Sequence, residues 1–81
     1  MKTSIYDNFQ NIYELQTALR HLWSTDKIPT LINPDGVYGH ETTVAVMNAQ
    51  KFFGLSQTGK VDLETWVLLF DNLIGFYDGK L

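Results

Sequence analysis

The stretch PDGVYGHETTVAV, Pro34 to Val46, decides how this chain folds. Two glycines bracket Val37 and Tyr38, an aspartate leads in, and a helix-like run follows at once. Glycine reaches the positive φ angles of a tight turn, and Asp35 is placed to accept backbone N–H groups within it. Thr42 falls in the first turn of the following helix, where its hydroxyl can satisfy an open amide. A phosphate cradle and a calcium loop are the competing readings. An EF-hand register started at Asn33 puts Gly36 at position 4 and Val44 at position 12; one started at Asp35 ends on Val46. Neither fits, so the stretch reads as a corner that launches a helix.

Working outward, Ile12, Leu15, Leu19 and Leu22 recur at helical spacing around polar Glu14, Gln16, Thr17 and Arg20. This predicts a first amphipathic helix from about Asn11 to Trp23. Pro29 and Pro34 then break the period. The second helix is expected from about His40 to Phe53, with Ala45, Val46, Ala49, Phe52 and Phe53 inward and Gly54 as its glycine stop. Asp62 reads as the N-cap of a third helix, with Glu64 in the first turn and Val61 against Trp66 as a hydrophobic staple. Leu69, Phe70 and Leu73 continue its stripe, and Gly75 is the expected stop. Phe76 and Tyr77 are placed to fold back on the core. His40-Glu41-Thr42 and Leu63-Glu64-Thr65 echo one another; since Glu and Thr both suit first turns, this is read as no true repeat. The expected organisation is an N-terminal extension at 1–10, a three-helix domain at 11–74 and a tail at 75–81.

Composition bounds the function. At 81 residues with 44% hydrophobic content, the chain is a single globular domain that buries about 60–65% of its surface. Cysteine is absent, so a compact apolar core must hold it together. Six Lys and Arg against nine Asp and Glu give a net charge of −3. That argues against nucleic acid and against anionic membrane surfaces, both of which call for a basic face. No run approaches the length of a membrane span. The opening MKTSIYDNFQ lacks the apolar centre of a signal peptide.

Other chemistry is weakly encoded. Gly54 to Lys60 fits the phosphate-loop string, but Val61 stands where a magnesium-holding Ser or Thr belongs and a helix precedes it. His21 and His40 lack metal-ligand spacing. Ser4, Ser24 and Ser56 have no nucleophile context. No metal, cofactor or catalytic group is expected.

The ordered set Leu15-Gln16, Ala18-Leu19, Asp35-Gly36-Val37-Tyr38-Gly39, Glu41-Thr42, Ala45-Val46, Gln50-Lys51, Gly54-Leu55, Thr58-Gly59, Val61-Asp62 and Thr65-Trp66 resembles the peptidoglycan-binding domain family. This is the small three-helix module attached to wall amidases, phage lysins and transpeptidases. The resemblance spans about Ile12 to Leu73. It implies an all-α, compact three-helix bundle with long structured loops, and it makes the Asp-Gly-x-Tyr-Gly turn mainly structural. Three departures stand out: Ala49 where Phe is usual before the helix-two glutamine, Trp23 where helix one usually ends at glycine, and a long link from Trp23 to Asp35.

The function implied is non-catalytic binding of peptidoglycan, targeting an attached or partner wall hydrolase. The setting would be extracellular, or the wall or periplasm, with a monomeric module. Asp35, Tyr38, Gln50, Lys51, Thr58, Lys60 and Trp66 are the candidate ligand contacts. Each has a structural reading beside it: Trp66 reads as core first, and Gln50 equally suits bonds to neighbouring backbone. The alternative is a protein-docking or pro-segment-like module, favoured if Ile28, Leu31 and Ile32 form an exposed patch.

Overall fold

The structure, a computed structural model, describes residues 9–77, with side chains described from 12 to 73. It is a three-helix bundle in the order α1 (Phe9–Ser24), α2 (His40–Phe52) and α3 (Leu63–Tyr77), joined by two structured loops. Among the described residues there is no strand. Helix α1 is the hub and packs against both α2 and α3. Its stripe of Ile12, Leu15, Leu19 and Leu22 is buried, as the spacing requires, and Ala18 joins it. Ala45, Val46 and Ala49 face it from α2, and Leu69 and Leu73 from α3.

The long first loop is part of the core. Ile28 and Ile32 are buried among the helices. Asn48 of α2 donates to the Thr30 hydroxyl at 2.8 Å, and Arg20 of α1 to Asn33 at 3.2 Å, fixing the loop from both sides. The patch of Ile28, Leu31 and Ile32 that would have favoured the docking alternative does not form, since only Leu31 of the three is exposed. Phe52, expected inward, is also exposed; Phe53 packs against the core instead, edge-on to Phe52.

Helix ends follow backbone chemistry. Helix α2 stops at Gly54, whose φ of 78° lets Leu55 N–H reach Gln50 C=O at 2.8 Å and Gly54 N–H reach Lys51 C=O at 3.1 Å. Helix α1 ends the same way without a glycine: Asp26 holds φ 64°, Lys27 N–H bonds Leu22 C=O and Asp26 N–H bonds Trp23 C=O. An aspartate tolerates this left-handed position where most residues would not. Helix α3 runs through Gly75, the expected stop, to Tyr77. A glycine inside a helix lowers its stability without breaking it. The fold-back expected of Phe76 and Tyr77 concerns side chains outside the described set.

Asp26→Gly places the residue with no Cβ penalty at the left-handed cap of α1. We expect a stabilisation of about 0.5–1 kcal/mol by thermal or urea melting. Gly54→Ala, at the equivalent position of α2 where a Cβ meets nothing within 4 Å, should cost about 1 kcal/mol for backbone conformation alone.

Candidate functional site

Two loops, Asp35–Gly39 and Thr58–Asp62, precede α2 and α3, and each is held from beneath by a buried glutamine. Gln16 of α1 is 1% exposed. Its Oε1 accepts the N–H groups of Asp35 and Gly36 at 2.8 and 2.9 Å. Its Nε2 donates to Val37 C=O and Thr42 Oγ1 at 2.9 Å each, and to Asp35 Oδ1 at 3.1 Å. Gln50 of α2 is likewise 1% exposed. Its Oε1 accepts Gly59 N–H at 3.0 Å. Its Nε2 donates to Lys60 C=O at 2.9 Å, and to Thr58 Oγ1 and Thr65 Oγ1 at 3.2 Å each.

The two clamps are the same device used twice. Gly36 and Gly59 take φ of 78° and 76°. The residue before each glycine, Asp35 or Thr58, accepts the N–H of the residue after it, at 2.9 and 3.1 Å. The threonine six positions on, Thr42 or Thr65, is buried against its glutamine. The echo between His40-Glu41-Thr42 and Leu63-Glu64-Thr65, read from sequence as no repeat, is thus the visible end of a structural one. It was masked because only the glycine, Glu and Thr keep their spacing; the rest of each loop differs. Thr42 also departs from expectation: its hydroxyl meets Gln16 rather than an open helix amide.

One hydrogen bond joins the loops. Tyr38 OH donates to Gly59 C=O at 2.8 Å. Gly59 in turn sits so close to α2 that a Cβ there would lie 2.9 Å from Thr43 Cγ2 and 3.3 Å from Met47 Cγ. The phenol is half-buried, and burial pushes its pKa up to about 12. Carboxylates shift the other way. The Val37 N–H, and then the Gln16 amide, hold Asp35 below the usual carboxylate range. The Thr65 N–H, and then its hydroxyl, do so for Asp62, which caps α3 as expected. Helix α2 starts at Gly39, in extended conformation with no side-chain cap.

The sequence-predicted residues fall into three groups. Asp35, Tyr38, Thr58 and Lys60 lie together on the tied loops, with Asp35, Thr58 and Lys60 exposed. Lys51 is exposed on the last turn of α2. Gln50 and Trp66 lie behind the surface: Gln50 is fully enclosed, and the Trp66 ring packs on the core and on Phe70 at 4.5 Å. Sequence reasoning missed Gln16, Thr42 and Thr65 as the clamp, and Val37, which is 62% exposed between the two glycines. The aligned pair D-G-V-Y-G-H-E-T and T-G-K-V-D-L-E-T, each downstream of a glutamine, is the signal that carries them.

What the loops offer is a clamped polar surface with the exposed carboxylates of Asp35 and Asp62, the Lys60 ammonium, the Thr58 hydroxyl and the aliphatic side chain of Val37. That set suits contact with a polar polymer more than bond cleavage. Among the described residues no three His, Asp or Glu side chains converge as metal ligands do, and no helix is long and apolar enough to cross a membrane. Among protein families, the one described as "Putative peptidoglycan binding domain" matches residues 9–69, which include both clamps and both loops. No curated protein and no solved structure matches the chain.

Gln16→Ala and Gln50→Ala each orphan buried backbone groups, and should cost about 3 kcal/mol, lowering the melting midpoint by about 15 °C. Gln16→Glu gives a sharper sign. Its carboxylate would face Asp35 Oδ1 and Val37 C=O in a buried site, which raises its pKa. The variant should therefore be least stable at neutral pH and recover as pH falls through that raised pKa, in melts at pH 7 and pH 5. For Tyr38 the raised pKa means its contribution is intact below pH 10 and lost as pH climbs through about 12. Tyr38→Phe should remove that alkaline loss, and cost about 1–2 kcal/mol at neutral pH by leaving Gly59 C=O unpaired.

Proposed function

The chain belongs to the peptidoglycan-binding domain family, and from that premise we propose that its two tied loops are the face that meets the bacterial wall. The role of the family is wall binding, and its setting is cell-wall-associated or extracellular. Asp35, Val37, Tyr38, Thr58 and Lys60 form the contact, with Lys51 at its edge. Gln50 and Trp66 serve it from behind, by holding a loop and backing a helix. The observation that supports this most is that the family match covers both clamped loops. Nothing on the tied loops suggests a reacting group. The chain would act as a non-catalytic, monomeric module that concentrates an attached or partner hydrolase on its substrate.

The physics favours a weak single site. Peptidoglycan offers amides, hydroxyls and carboxylates, which pair with the donors and acceptors on these loops. An acidic module, with a net charge of −3, gains no long-range attraction to an anionic wall. Tethering would supply the useful local concentration. The rival reading, a docking module without a wall ligand, would be favoured by an exposed Ile28, Leu31 and Ile32 patch, and Ile28 and Ile32 lie in the core.

Purified chain should be retained on insoluble peptidoglycan sacculi and pass through chitin and cellulose. Val37→Asp and Lys60→Glu should each lower retention about fivefold with unchanged melting. Retention that both variants leave intact would place the wall-binding face elsewhere. No retention at low salt and high protein concentration would remove wall binding by this chain.

A further inference from the structure

Helix α3 carries a second surface. Leu63 and Val67 are 68% and 52% exposed, although both are aliphatic and one turn apart. Trp66 and Phe70 adjoin them and are only partly buried. Together they make an i, i+3, i+4, i+7 stripe, the pattern a helix shows on a face that is covered. The exposed acids Glu64 and Asp71 lie three residues before and four after Val67, and Asp62 lies at the head of the helix. Lysine and arginine are absent from α3.

The repeat gives this face a counterpart on α2. Thr43 and Met47 stand seven and eleven residues past Gly36, and the Gly59 loop roofs them. Trp66 and Phe70 stand seven and eleven past Gly59, on the equivalent strip of α3. A third loop would need a third clamp, and at the position equivalent to Gln50 the chain has Leu73, which is buried in the core. On α2 the Gly59 loop packs on this strip while Met47 stays 36% exposed; on α3 no described loop follows, and Leu63 and Val67 stand open beside the half-buried Trp66 and Phe70.

We propose that the outer face of α3 docks a basic, amphipathic protein segment, with aliphatic anchors on the Leu63, Trp66, Val67 and Phe70 stripe and Lys or Arg beside Glu64 and Asp71. A second copy of this chain fits poorly. Whether two α3 helices pair parallel or antiparallel about Val67, the acids of one meet the acids of the other. An anionic membrane is opposed by the same acids.

The test titrates the isotope-labelled chain with a short synthetic amphipathic peptide of leucine and lysine, read by amide chemical shifts. A leucine–glutamate peptide of the same apolar pattern is the control. Saturable shifts confined to the outer face of residues 62–71, weakened by added salt and about tenfold by Val67→Asp or Leu63→Asp, are expected. Both variants sit on an exposed face, so folding and sacculus retention should be unchanged; wall binding and docking are thereby read separately. Shifts elsewhere, no shifts, or an equal response to the acidic peptide would overturn the proposal. Peptide-free shifts at these amides that grow with protein concentration would also overturn it, by assigning the face to a second copy.

Discussion

A primary amide buried beneath each loop is the constraint on which this structure depends. A loop that must turn sharply before a helix leaves backbone N–H and C=O groups pointing inward, away from water, where each unpaired group costs about 1–3 kcal/mol. Glutamine meets that demand with one side chain, since its amide both donates and accepts. Gln16 and Gln50 do so with no formal charge to bury. A glutamate of the same shape would accept from Gly36 or Gly59, yet repel the Val37 or Lys60 carbonyl. Each clamp also fixes what lies beside it. The threonine it touches opens the next helix, so loop shape and helix position are set together.

Rigidity is the functional consequence. A loop held by a glutamine that makes five hydrogen bonds in one case and four in the other, three and two of them to loop backbone, loses little conformational freedom on meeting a ligand. The Tyr38 to Gly59 bond extends this from two separate loops to one surface. Asp35 shows the cost of the arrangement: its carboxylate is exposed, but one oxygen is already taken by Val37 N–H and Gln16. A contact there must use the remaining acceptor capacity of the carboxylate. Lys60 and Val37 carry no such duty through their side chains, and on the proposed face they are the residues whose chemistry can vary while the fold stays the same.

Much of this was legible in the residues. The apolar periodicity of α1, the glycine stop at Gly54 and the Asp62 cap each follow from local rules, and each is found in place. The ordered motif set led to the family. What stayed hidden was non-local. Gln16 sits among polar neighbours on a helix, and nothing in a helical period distinguishes a solvent-facing glutamine from one that reaches across to residues 35–42. Ile28 directly precedes Pro29 and Ile32 lies between Pro29 and Pro34, in a segment without period, so their burial depends on a loop path that no local pattern describes. Phe52 was misplaced because two adjacent aromatics at a helix end cannot both face inward, and spacing alone does not choose between them. Asp26 escaped notice because a left-handed aspartate has no signature beyond its permissive chemistry.

The repeat also accounts for an asymmetry that a three-helix bundle need not have. Helices α2 and α3 both begin after clamped glycine loops, but of these two α2 alone leads into another among the described residues. Where a third glutamine would extend the series, Leu73 turns into the core and ends it. Leu73 adds apolar burial there, while Leu63 and Val67 earlier on the same helix remain exposed. The loop face is polar and its backbone is clamped, and the α3 face is apolar where Leu63 and Val67 stand exposed beside Trp66 and Phe70. A polar wall polymer and a basic protein segment make different demands on a surface, and the two proposed faces use different contact residues. Occupancy of one is therefore compatible with occupancy of the other.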